Sequence, residues 1–252
     1  MWTALIEAVV LGDRIGVLMS EVDIAADPET AATPMVLPAA TANADWAQSG
    51  GNAAKLVEHV ALGQSVGPAW SASIGNGSTR SRRLGGGPVI SGGKVFTIDT
   101  IGSVRAFDAA TGAPLWATRF GDAKGNENVL YGGGVAVEGD RVYATNGFGY
   151  VASLDAATGA ASWTVRPGGP IRGAPTVANG AVYVISQDNQ IFALKASDGT
   201  TSWSNAAALE VAGVFGNGSP AIDRGSPQDL PVNEAAPNGR FVLPPETAGA
   251  TH

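Results

Sequence analysis

Two histidines, His59 and His252, and no cysteine leave the 252-residue chain few of the side chains from which metal centres and activated nucleophiles are built. Neither histidine has a partner at metal-ligand spacing, so no zinc or non-haem iron site is indicated. The runs Gly85-Gly86-Gly87 and Gly132-Gly133-Gly134 would cradle phosphate only if they opened a helix and led into Lys-Ser/Thr. They do neither, and read as turns before strands. Asn76-Gly77-Ser78 and Asn217-Gly218-Ser219 match a glycosylation acceptor pattern and read as ordinary loop sequence. Asp108 and Asp155 could serve as a general base or as calcium ligands, but each sits four residues before a glycine in a tight connection. An aspartate there accepts hydrogen bonds from the backbone of its own turn, which explains both residues without chemistry. Arg80-Ser81-Arg82-Arg83 reads as a solvated loop. A net charge of −7 disfavours nucleic acid, which calls for a basic stripe.

The elements that position these residues are written as a repeat. Ala106-Phe107-Asp108-Ala109-Ala110-Thr111-Gly112-Ala113-Pro114-Leu115-Trp116 returns as Ala152 to Trp163, and more loosely as Ala193 to Trp203. A Val-aromatic pair, Val95-Phe96, Val142-Tyr143 or Val182-Tyr183, stands 21 residues before each Trp. Trp70, Trp116, Trp163 and Trp203 follow one another at steps of 46, 47 and 40 residues. A period in this range, holding several short runs of alternating β-branched or aromatic and small residues cut by Gly and Asp, predicts four antiparallel strands per copy, one propeller blade. The structural signature is Trp70; Asp108, Gly112 and Trp116; Asp155, Gly159 and Trp163; and Asp198, Gly199 and Trp203. In it, Gly supplies positive φ and Trp is large enough to bridge one twisted sheet to the next. The fold expected is all-β: a partial β-propeller with about three complete blades, 86–120, 131–167 and 172–207, and flanking strands of an eight-bladed ring.

The Ala-x-Asp-x-x-Thr-Gly-x-x-x-Trp pattern resembles the tryptophan-docking repeat of quinoprotein-type (PQQ-like) propellers. Asp45-Trp46-Ala47-Gln48-Ser49-Gly50-Gly51-Asn52 looks like the segment that opens the propeller in BamB-like proteins. Arg172-Gly173-Ala174-Pro175-Thr176-Val177 and Ser186-Gln187-Asp188-Asn189-Gln190-Ile191-Phe192-Ala193-Leu194 also look like that family. The resemblance runs from about Gly12 to about Ile222. It implies a non-catalytic periplasmic scaffold of the outer-membrane β-barrel assembly machinery, whose partner is the POTRA region of the barrel-assembly protein. A hydrophobic-Arg-Gly element at one blade junction makes that contact in the family, and by position it carries over to Ile171 and Arg172 in Gly168-Gly169-Pro170-Ile171-Arg172-Gly173. Gly169 departs from the pattern where the family can have another hydrophobic residue. A PQQ-dependent dehydrogenase would need a calcium site, a carboxylate base and a pocket over the propeller axis. Tandem Trp-docking repeats supply none of these, and adjacent cysteines, a feature of several such enzymes, are excluded. No catalytic residue, cofactor or metal is therefore expected. A PQQ-linked dehydrogenase fragment and a generic sugar- or peptide-binding periplasmic propeller stay open as alternatives.

The ends of the chain do not repeat. Residues 1–60 form an Ala- and Pro-rich lead-in with one expected strand near Ile15-Gly16-Val17-Leu18. The first eleven residues lack a basic region and carry Glu7, which makes a poor signal peptide, and there is no cysteine to carry the family's lipid anchor. Periplasmic, outer-membrane-associated localisation thus follows from the resemblance alone. Within the propeller stretch, 61–222, Trp70 occupies the last-strand pattern of a blade, and Gly218-Ser219-Pro220-Ala221-Ile222 begins another. Residues 223–252 hold five prolines and no Trp, and are expected to be a disordered tail, as in a truncated or frameshifted member of the family.

Overall fold

The computed structural model describes residues 37–121, 132–206, 218–223 and 241–242. Every element below belongs to one compact unit within residues 40–252. The expected strand near Ile15 and almost all of the tail lie outside the described residues. Among the described residues there is no helix.

Twelve strands make three meandering antiparallel sheets. The first holds β1 (Val89–Ser91), β2 (Lys94–Ile98), β3 (Ser103–Asp108) and β4 (Pro114–Arg119). The second holds β5 (Gly133–Glu138), β6 (Arg141–Asn146), β7 (Val151–Asp155) and β8 (Ala161–Val165). The third holds β9 (Thr176–Ala178), β10 (Ala181–Ile185), β11 (Gln190–Lys195) and β12 (Thr201–Ala206). A two-residue parallel pairing joins β13 (Ile222–Asp223) to β14 (Phe241–Val242). Among the described residues these sheets are three propeller blades.

The core lies between sheets. Val135, Val137, Val142, Ala144, Ala152 and Leu154 of the second sheet face Val89, Phe96, Ile98 and Val104 of the first. The alternate residues Ala136, Tyr143 and Val151 face Val177, Val182, Val184, Phe192 and Leu194 of the third. Side chains alternate across a strand, so a middle blade buried on both faces must be apolar at nearly every position.

Within each sheet the register explains the repeat. Phe96 pairs with Ala106, and Ala106 with Trp116, so a small residue sits between two aromatic neighbours. Tyr143-Ser153-Trp163 and Tyr183-Ala193-Trp203 repeat the arrangement. The ring centroids meet over the small residue at 5.9, 6.0 and 6.1 Å. Just beyond that row, each last strand pair shifts register, between Ala106 and Phe107, Ser153 and Leu154, and Ala193 and Leu194.

The innermost strands β1, β5 and β9 are sheet edges that lie side by side, and an edge strand has backbone groups left to satisfy. The segment opening the propeller supplies partners. Trp46 exchanges backbone hydrogen bonds with Ile90, at 2.7 and 2.9 Å, and the Ala47 carbonyl accepts from Val137 N–H at 2.8 Å. The Gln48 amide donates to the Val177 carbonyl at 2.7 Å and accepts from Val177 N–H at 3.0 Å. Further on, the Ala53 carbonyl accepts from Ile222 N–H at 2.9 Å. Residues 46–53 thus lace the three blades and the start of β13.

Candidate partner-docking site

The blades are joined by tryptophan. The Trp70 indole N–H donates to the Ala109 carbonyl (2.9 Å), Trp116 to Ala156 (3.2 Å) and Trp163 to Ala196 (3.0 Å), each time onto the last turn of the next sheet. Trp70 docks this way although residues 67–74 form no strand, there being no preceding strand beside them among the described residues. Trp203 packs on Tyr183 in its own sheet and is 36% exposed.

In these turns Asp108 Oδ1 accepts from Thr111 Oγ1 and N–H, both at 2.8 Å, and from Ala110 N–H at 3.1 Å. Asp155 does the same for Thr158 and Ala157. In the third sheet Lys195 takes the aspartate's place, its backbone closing the same turn with Gly199 N–H at 2.9 Å. Asp198, three residues later, instead caps Thr200 N–H at 2.9 Å and Thr200 Oγ1 at 2.7 Å. The threonine hydroxyl and then the backbone N–H hold all three carboxyls below their ordinary value. A depressed, hydrogen-bonded carboxylate is a turn cap and a poor general base. A depressed folded-state pKa stabilises above the unfolded carboxylate value of about 4 and ceases to do so as pH falls through the folded value. A triple Asp108→Asn, Asp155→Asn, Asp198→Asn variant is therefore expected to melt below the wild type at pH 7. The gap should close as pH drops below about 4, which melting curves across pH will check. A gap independent of pH would contradict the assignment.

The β2–β3, β6–β7 and β10–β11 loops emerge at one end of the blades, with the connections that lead from one sheet to the next. At this end the segment after β8 is fixed residue by residue. The Pro170 carbonyl accepts from Gln187 N–H at 2.7 Å, and Ile171 bridges Ser186. The Arg172 carbonyl accepts from Gly133 N–H at 2.8 Å, and the Gly173 carbonyl accepts from Thr145 Oγ1 at 2.7 Å. The 166–173 segment is thereby tied to both the second and third sheets.

The structure separates the two residues that the resemblance singled out. Ile171 has no exposed surface and packs in the core between the second and third sheets. Its expected contact with a partner is corrected: a side chain with no solvent-facing area seats the loop. Arg172 is half-buried. Around it the same end presents Arg166, whose guanidinium stands 5.7 Å from the centroid of the Tyr150 ring, with exposed Pro170 and Asp188. Tyr150 and Arg166 were not singled out from sequence; the signal was the aromatic pair Phe148 and Tyr150 inside a glycine-cut turn. The Arg80–Arg83 loop is ordered by its own bonds: Thr79 N–H to the Arg82 carbonyl (2.8 Å), Arg82 N–H to Thr79 Oγ1 (3.1 Å) and Leu84 N–H to Ser78 Oγ (3.1 Å).

Among the described residues no group of three or more His, Asp or Glu side chains is placed to hold a metal ion. A cleft of about 230 Å³ lies over the outer strands of the first sheet, lined by Arg105, Phe107, Pro114, Leu115, Trp116 and Ala117, with no carboxylate in its wall.

Four-stranded blades locked by tryptophan onto the following turn define a quinoprotein-type β-propeller. The family profile described as outer membrane protein assembly factor BamB matches residues 100–230, and the chain belongs to that family. Among solved structures it is similar to quinohemoprotein alcohol dehydrogenase from Comamonas testosteroni (25% identity, 66% of this chain and 28% of that chain, TM-score 0.55). It is also similar to a europium-containing methanol dehydrogenase (21% identity, 64% and 32%, TM-score 0.52). BamB from Moraxella catarrhalis matches at 22% identity over 52% of this chain and 39% of that chain, with a TM-score of 0.40. The chain thus spans 28–39% of the length of these structures. No curated protein matches it.

Proposed function

We propose that the chain is a non-catalytic docking scaffold of the outer-membrane β-barrel assembly machinery, acting in the periplasm at the outer membrane. Its 166–173 segment meets the POTRA region of the barrel-assembly protein. The observation that carries the reading is that segment: four consecutive residues bonded to two sheets, presenting Arg166 and Arg172, in a chain of the BamB family. A rigid loop loses little conformational freedom on binding, and arginine is a favoured interface anchor. Ile171 contributes by holding Arg172 in place. The mechanism is passive: blades fix the loop, and the loop orients the partner.

A second reading, a PQQ-linked dehydrogenase fragment, draws support from the likeness to the Comamonas enzyme. Calorimetric titration of the full chain with a purified POTRA region, and separately with PQQ and calcium, discriminates the two. The scaffold reading expects saturable POTRA binding, weakened about tenfold or more by Arg172→Glu at a temperature where melting curves show that variant folded, and no PQQ uptake. Stoichiometric PQQ uptake with dye-linked alcohol oxidation, and no POTRA binding, would overturn it.

A further inference from the structure

Gly132 is the meeting point of two arginine-bearing segments that are far apart in the sequence. Its N–H donates to the Arg83 carbonyl at 3.1 Å. A Cβ built on Gly132 would lie 2.4 Å from the Arg172 carbonyl oxygen and 2.8 Å from Arg172 Cα. A Cβ on Gly85 would in turn lie 2.4 Å from Gly132 Cα and 3.2 Å from the Arg172 carbonyl oxygen. The three segments leading into β1, β5 and β9 therefore touch backbone to backbone, with glycine permitting the approach. This brings Arg82 and Arg83 to the same rim as Arg172.

One further observation points to a ligand there. Among the described residues no carboxylate forms an ion pair with Arg80, Arg82 or Arg83, the one ion pair there being Arg141 with Asp140. A chain of net charge −7 has concentrated these arginines in one ordered loop. Because the protein as a whole is acidic, an extended polyanion such as a lipid surface is repelled over most of its reach. A short acidic segment meets only the basic rim.

We propose that Arg82 and Arg83 join Arg172 in a binding rim for a carboxylate-bearing segment of the protein partner. The docking surface then runs from the 166–173 segment across Gly132 onto the 78–84 loop. This rests on the docking role proposed above and adds the chemistry of what is docked. Arg83 is exposed, so Arg83→Glu leaves the fold intact, and Arg82→Gln removes charge at the half-buried neighbour.

The test is POTRA binding by the full-length wild type, Arg83→Glu and Arg82→Gln, measured over a range of salt, with melting curves for each. A parallel arm uses vesicles containing phosphatidylglycerol. The rim predicts that Arg83→Glu weakens POTRA binding about tenfold and flattens its salt dependence, that Arg82→Gln weakens it less, and that vesicles stay unbound at about 0.15 M salt. If the wild type binds and Arg172→Glu weakens it while Arg83→Glu and Arg82→Gln bind like the wild type, the rim is overturned and the docking role stands. Vesicle binding that Arg83→Glu abolishes would overturn the acidic-segment assignment in favour of a lipid headgroup. A wild type that does not bind the POTRA region overturns both proposals.

Discussion

Gln48→Ala is expected to destabilise the chain by about 2–4 kcal/mol, out of proportion to the loss of one side chain in a segment without regular structure. The amide is 5% exposed and makes both hydrogen bonds of a reciprocal pair with Val177, 129 residues away. Alanine leaves a buried N–H and a buried C=O of edge strand β9 without partners, and each such loss costs about 1–3 kcal/mol. Gln48→Leu, which keeps the volume, should cost nearly as much, because the missing element is polar. Urea denaturation of the two variants is the measurement. A loss below about 0.5 kcal/mol in both would mean that residues 46–53 do not lace the blades.

The second large effect falls on Gly159. Its φ is +73°, and a Cβ there would lie 2.5 Å from Trp116 Cε3, 2.6 Å from Cδ2 and 2.8 Å from Thr118 Oγ1. The indole cannot withdraw, because its N–H is held by the Ala156 carbonyl and its ring packs against the core of the first two sheets. Gly159→Ala therefore combines a left-handed backbone penalty of about 1–2 kcal/mol with an overpacking cost of about 1–3 kcal/mol. Gly180 is the control. Its φ of +72° is nearly the same, but nothing lies within 4 Å of the position a Cβ would take. Gly180→Ala should show the backbone penalty alone. Equal losses in the two variants would remove the tryptophan dock from the explanation.

The contrast shows what the sequence could and could not convey. The aromatic, the small residue and the Trp recur at fixed spacing because they fill one row across the last three strands of each sheet. Local repetition of that kind is legible, and with it the blades and the all-β class. Lys195 in the aspartate's place is also legible as a looser copy, although the transfer of the capping role to Asp198 needed the hydrogen bonds. Contacts between repeats left no such trace. The position of Gln48 was legible, but its bond to Val177 was not, since a backbone partner imposes no residue type. Ile171 read as a partner-binding residue because its hydrophobic-Arg-Gly setting resembled a binding element. Burial under the second and third sheets is a property of packing and has no local signature. The meeting of Arg83 and Arg172 at Gly132 is of the same kind, and a triple-glycine run read simply as a turn before a strand.

The central claim, that the 166–173 segment is a docking surface for the barrel-assembly protein, is tested most directly by photocrosslinking. A photoreactive residue placed at exposed Pro170, and as a control at Leu115 on the outer strand β4, is irradiated in the full chain mixed with the purified POTRA region. A docking surface there gives crosslinks from position 170 that map to the POTRA region, and none from position 115. Crosslinks from 115 alone, or from neither position at saturating partner, would contradict it.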